Sequence, residues 1–174
     1  FYDQFGVSKV QAGQLTMLTA FIGAAMRILG GWLSDHWGGI NTLTSVLVIV
    51  GLSLLACGFA PSSLWNGTAW LLLCFAALGA GNGALFQLVP LRWPQSTAVA
   101  GSMIGEIGAL GGGLVPAAMG LSRQYLGSYL WGFIALAMLA LAMLAVLRLL
   151  QPRWTRSWSR AGGRALSPQA APAG

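Results

Sequence analysis

Residues 129–150 read YLWGFIALAMLALAMLAVLRLL and run directly into QPRWTRSWSR at 151–160. The first stretch carries one charge, Arg148. As a helix rising 1.5 Å per residue, it is long enough to cross a hydrocarbon layer about 30 Å thick. A helix is the natural element there, because it satisfies its own backbone polar groups without water. The second stretch is basic, with Arg153, Arg156 and Arg160; together with Arg148 before it and Arg164 after it, these arginines crowd the end of the chain. Arginines massed just after an apolar run mark a cytoplasmic flank. They are also placed to touch anionic lipid, each such contact being worth about 1 kcal/mol.

Four further apolar stretches lie upstream, at 11–32, 41–60, 69–90 and 98–121. Short segments with turn residues separate them: Ser34-Asp35-His36-Trp37-Gly38-Gly39, Pro61-Ser62-Ser63, Trp93-Pro94-Gln95-Ser96 and Gly127-Ser128. The composition agrees. Of 174 residues, 56% are hydrophobic and 7% charged, against about 25% charged in soluble domains. The expected fold is an all-α membrane protein of five transmembrane helices. The formal charge of +6 does not point to nucleic acid, because most of it sits in the basic segment.

Tryptophan supports the register independently. Trp32, Trp37, Trp65, Trp70, Trp93, Trp131, Trp154 and Trp158 all stand within a few residues of an expected span end. That is where an apolar ring and a polar N–H are both accommodated. With the tail inside, five crossings put the first residue outside. The inner side then holds Arg92 and the five tail arginines, the outer side Lys9 and Arg123, which is the usual bias. Residues 1–10 are expected to be an exterior loop. Residues 151–174 are expected to be a basic cytoplasmic tail, disordered where it turns to Ala, Pro, Ser and Gly. An odd number of spans and an exterior start without an export signal lead us to expect a missing amino-terminal part. Cys57 and Cys74 fall inside apolar runs and read as small core residues.

Two charged side chains lie well inside spans, Arg27 and Glu106. Each costs at least about 2.5 kcal/mol to insert, so such residues usually face a cavity and have a role. Their depths from the inner end are comparable, roughly 9 and 12 Å, so an ion pair between them is one reading. Arg27 shares its helix face with Thr16, Ala20, Gly23, Gly30, Gly31 and Ser34. Small neighbours leave room around a guanidinium, whose planar fork suits a planar oxyanion; an anion site is the reading we favour.

In the third span Gly79, Asn82, Gly83 and Phe86 follow helical spacing. The amide of Asn82 is suited to donate to an anion, and Phe86 to form a flat wall beneath one. Ordinary packing is the plain alternative for Phe86, and Gln87 is placed to cap the inner end. In the fourth span Gly101, Gly105, Gly108 and Gly112 fall within about 60° of arc, a stripe that permits close approach of helices. Glu106 lies off that stripe. No metal-spaced His/Cys set, Walker loop or Gly-x-Ser-x-Gly elbow is present, and adjacency of Ser34, Asp35 and His36 does not make a triad. The sequence therefore calls for no cofactor, no metal and no enzyme.

These motifs resemble a known family. Gly31-Trp32-Leu33-Ser34-Asp35-His36-Trp37-Gly38 is similar to the loop motif Gly-x-Leu-x-Asp-x-x-Gly of the major facilitator superfamily. Arg27 with Leu29-Gly30-Gly31-Trp32 resembles the nitrate/nitrite porters within it, as do Gly81-Asn82-Gly83-Ala84, Phe86-Gln87-Leu88-Val89-Pro90 and the run 100–116. His36, Gly39 and Ile40 stand where the loop motif usually carries basic residues.

The resemblance implies that the five helices form most of the carboxy-terminal six-helix half of such a transporter, in a bacterial-type inner membrane. The missing amino-terminal half would then be the partner, and transport of nitrate and/or nitrite would proceed by alternating access. It implies that Arg27 binds the anion and that Phe86 stacks on it. Glu106 would either couple a proton to transport, pair with Arg27 or form a packing hydrogen bond. A porter for another small anion, or a truncated membrane module that does not transport, are the other readings.

Overall fold

The computed structural model describes residues 6, 8–59, 63–158 and 162–164. Most of the expected exterior loop, Ala60, Pro61, Ser62, Arg160 and the tail from residue 165 lie outside the described residues. Five helices account for nearly all of the rest: α1 (Lys9–Trp37), α2 (Gly39–Phe59), α3 (Leu64–Arg92), α4 (Thr97–Leu126) and α5 (Leu130–Ser157). All five are long and apolar enough to cross a membrane. The chain is thus a multi-pass, all-α membrane protein.

The helices outrun the apolar stretches. At 29 residues, α1 and α3 are about 44 Å long, which spans the hydrocarbon and reaches into both headgroup layers. α1 begins where Ser8 and Gln11 form a reciprocal cap. α3 begins where Ser63 accepts from the Asn66 amide. The expected turn at 34–39 is corrected. Ser34, Asp35, His36 and Trp37 continue α1, and only Gly38 breaks it, at φ 92°, a conformation open to glycine at no steric cost. The Gly38 amide still donates to the Ser34 carbonyl at 2.9 Å. At the other end of the chain α5 runs on to Ser157, so the basic segment begins as helix.

The tryptophans form two belts. Trp32, Trp37, Trp93, Trp154 and Trp158 mark the carboxy-terminal ends of α1, α3 and α5, while Trp65, Trp70 and Trp131 mark the opposite side. Trp65 is 79% exposed and Trp32 60%. Water alone gives no account of such exposure, whereas a membrane–water interface does.

Packing is uneven. α2 is the most buried element, with Thr42, Thr44, Val46, Val50, Ser53, Leu54 and Cys57 enclosed. It had read as a lipid-facing support because it holds no charge. In fact its small and hydroxylated residues let α1, α3 and α5 close around it, and Thr42 and Thr44 return their hydroxyls to their own helix. Cys57 and Cys74 are buried and free, as expected.

The tightest contact joins α1 and α3. A Cβ on Gly79 would collide with the carbonyl of Gly23, one on Gly30 with the backbone of Ala80, and one on Gly83 with the carbonyl of Arg27. Backbone meets backbone there, and only hydrogen atoms fit between. α4 is the contrary case. Positions 105, 108, 111, 112 and 113 have open space where a Cβ would stand. At the α4–α5 turn the Ser122 hydroxyl donates to the Ser128 carbonyl at 2.8 Å and accepts from the Gly132 amide at 3.0 Å.

This contrast yields a measurable difference. Gly83→Ala is expected to lower the unfolding free energy by about 1–3 kcal/mol through overpacking. Gly108→Ala should be neutral or stabilising by up to about 1 kcal/mol through helix propensity. Denaturant unfolding in mixed micelles reads both.

Candidate functional site

The α1–α3 contact decides where Arg27 goes. Because Gly83 lies against the Arg27 backbone, the side chain leaves α1 beside the next turn of α3, where Phe86 projects. The guanidinium carbon stands 4.7 Å from the centre of the Phe86 ring. A cation at that distance over an aromatic face is held by about 0.5–2 kcal/mol, more as water is excluded. Phe86 is half-buried, and one edge of its ring lies 3.6 Å from where a Cβ on Gly101 would be. The ring is therefore a shelf between α1 and α4, with Arg27 resting on it.

Among the described residues no carboxylate pairs with Arg27, and its N–H donors make no hydrogen bond. The guanidinium is exposed at a point about 15 Å of helix from Trp37. The sequence reading put Arg27 and Phe86 together, and in the structure the two side chains touch. Their relation differs in one respect: the ring face carries the guanidinium itself, with its N–H edges left open.

The other candidates stand elsewhere. Asn82 is exposed on the flank of α3 and lines a separate apolar cavity of about 620 Å³ between α2, α3 and α5. Glu106 is exposed on α4 and forms no ion pair with Arg27 among the described residues. Of the glycine stripe only Gly101 has a neighbour, Phe86; Gly105, Gly108 and Gly112 face open space.

One linkage was not apparent in the sequence. Two turns below Arg27, the buried Ser34 hydroxyl donates to the Gln87 side-chain oxygen at 3.2 Å, and Gln87 donates to the Gly163 carbonyl at 3.0 Å. The segment after α5 thus returns to the end of α3, where Gly163 is buried against Leu88 and Gly39. Ser34 recurs seven residues after Arg27, which places it on the right face. Its partner lies 53 residues away, and no local pattern reveals that.

The five helices thus form a membrane-spanning bundle that sets Arg27 within a span, against Phe86. The chain matches the Major Facilitator Superfamily model over residues 1–117 and belongs to that superfamily. It is 30% identical over 142 residues to the nitrite extrusion protein of Bacillus subtilis, covering 80% of this chain and 35% of that protein. It is 27% identical to the probable nitrate/nitrite antiporter NarK1 of Thermus thermophilus, over 87% of this chain and 39% of that protein. The probable nitrate transporter NarT of Staphylococcus haemolyticus is 28% identical over 78% of this chain and 35% of its own length. The chain thus spans little more than a third of these relatives, and the likeness read from its motifs extends over most of its residues. No solved structure matches it.

A double-mutant cycle tests the shelf. Arg27→Gln and Phe86→Leu are expected to couple by about 0.5–1 kcal/mol in unfolding free energy. Strict additivity would mean that the ring does not hold the guanidinium.

Proposed function

We propose that this chain is the carboxy-terminal part of a transporter that moves nitrate and/or nitrite across the inner membrane by alternating access. The observation that carries the reading is the Arg27 guanidinium, seated on Phe86 within the length of a span, exposed, and uncompensated by any carboxylate among the described residues. A buried-depth cation with unused donors is an anion site in waiting. Its planar fork matches a planar oxyanion through two parallel hydrogen bonds. The names of the relatives, all concerned with nitrate or nitrite, supply the class of anion.

The remaining residues take supporting roles. Phe86 fixes the guanidinium plane and offers its flank to the anion. Asn82 offers an amide donor from the flank of α3. The open glycines of α4 form a face against which further helices of the transporter can close, since the relatives are nearly three times as long as the matched region. Glu106, not tied to Arg27, serves as a proton carrier on the same helix. The arginines of α5 and the tail hold the carboxy terminus in the cytoplasm.

The decisive assay is nitrate uptake by the full-length transporter in proteoliposomes. Arg27→Lys keeps the charge and loses the fork, so uptake is expected to fall at least about tenfold. Undiminished uptake would remove Arg27 as the ligand. Competition by nitrite and cyanate separates the nitrate reading from a porter for another small anion. In the same vesicles Glu106→Gln is expected to abolish the rise of uptake with falling external pH. An unaltered pH profile would take Glu106 out of the coupling scheme and leave nitrate–nitrite exchange.

A further inference from the structure

The apolar cavity on the far side of α3 from α1 is separate from the Arg27–Phe86 contact. Its floor is α2, through Leu43, Val46 and Leu47; its walls are α3, through Leu85 and Leu88, and α5, through Val146. α4 reaches it through Ile104 alone, so the groove opens sideways. Within a bilayer a sideways apolar groove meets acyl chains rather than water.

One end of the groove is chemically different. Arg92, in the last turn of α3, lines it together with Trp93 and Trp158. The guanidinium carbon lies 5.5 Å from the Trp93 ring and 5.8 Å from the Trp158 ring. Two indoles hold the cation in place, and among the described residues no carboxylate pairs with it. Arg148, Arg153 and Arg156 stand near the same end of the bundle, on α5, so the local potential is positive. This is the belt level defined by the other tryptophans, where lipid headgroups lie.

We propose that this groove is a binding site for an anionic phospholipid, with one acyl chain along α2 and the headgroup phosphate on Arg92. The chemistry of each part matches its surroundings. The groove wall is apolar over its length, with Asn82 the one uncharged polar side chain in its lining. The rim supplies a fixed cation, held over two indole rings, where the phosphate falls. A zwitterionic lipid would fill the groove equally well, but its own cation would weaken its hold on Arg92. Selectivity for anionic headgroups is therefore the mark of this site. The proposal requires only that the chain spans a bilayer, and it stands apart from the transport reading.

The test uses the purified protein, delipidated in mild detergent and then exposed to vesicles of phosphatidylcholine with or without phosphatidylglycerol. Retained lipid is measured by native mass spectrometry. Phosphatidylglycerol should be retained in preference to phosphatidylcholine, in about one copy. Arg92→Gln should reduce that preference about fivefold and leave phosphatidylcholine retention unchanged. Val146→Trp alters an exposed wall residue outside the buried core and should expel both lipids with Arg92 intact. Equal retention of the two lipids by the unaltered protein would overturn the proposal. So would full anionic preference in Arg92→Gln, or undiminished binding in Val146→Trp, which would show that α4 closes the groove or that the lipid sits elsewhere.

Discussion

The approach of α1 to α3 governs the rest of this molecule. Gly23, Gly30, Gly79 and Gly83 remove side-chain bulk from both helices along one line, so that carbonyl groups of one face the Cα atoms of the other. In a membrane there is no hydrophobic force between helices to hold such a pair, since lipid tails are as apolar as leucine. Dispersion over a close, continuous contact has to supply the attraction. Close approach also fixes register. A slide of one residue would bring a larger neighbour such as Leu78 of α3 into the seam.

That fixed register lets a charged residue be tolerated within a span. Arg27 carries an insertion cost of at least about 2.5 kcal/mol, and no ion pair offsets it among the described residues. The Phe86 ring returns part of that cost, and only because Gly83 brings the Arg27 backbone against α3. The remainder is left as an unmet demand for negative charge. With no Arg27–Glu106 pair among the described residues, the guanidinium stays exposed and its charge is not neutralised within the bundle.

The sequence disclosed properties that accumulate along one chain segment. Hydropathy and tryptophan spacing pointed to five long apolar helices, and Arg27 stood out as a charge within one of them, because each is read without knowing a partner. Helix ends were less legible: Ser34, Asp35 and His36 look like a turn by composition, yet none of them prevents a helix, and only Gly38 does. Which glycines pack was not legible at all. The α4 stripe is the more regular of the two, but α1 offers its own glycines opposite α3. A small-residue face becomes a contact only when another small face meets it, and this information is split between segments about 50 residues apart. The same holds for Ser34, Gln87 and Gly163, whose hydrogen bonds join three separate parts of the chain.

α3 therefore serves three neighbours with three faces. One face is glycine and receives α1; a second presents Phe86 to Arg27 and to Gly101 of α4; the third is the apolar wall of the lateral groove. The first is rigid because backbone blocks backbone. The second is lightly held, since α4 meets α3 near Phe86 and is tied to α5 by the Ser122 hydroxyl at its far end, with open glycines between. A helix secured near its two ends and unencumbered along its middle can tilt without breaking buried hydrogen bonds. Motion beside Arg27 is thus cheapest in α4, and it would sweep past Phe86 while Arg27 stays where the α1–α3 seam puts it.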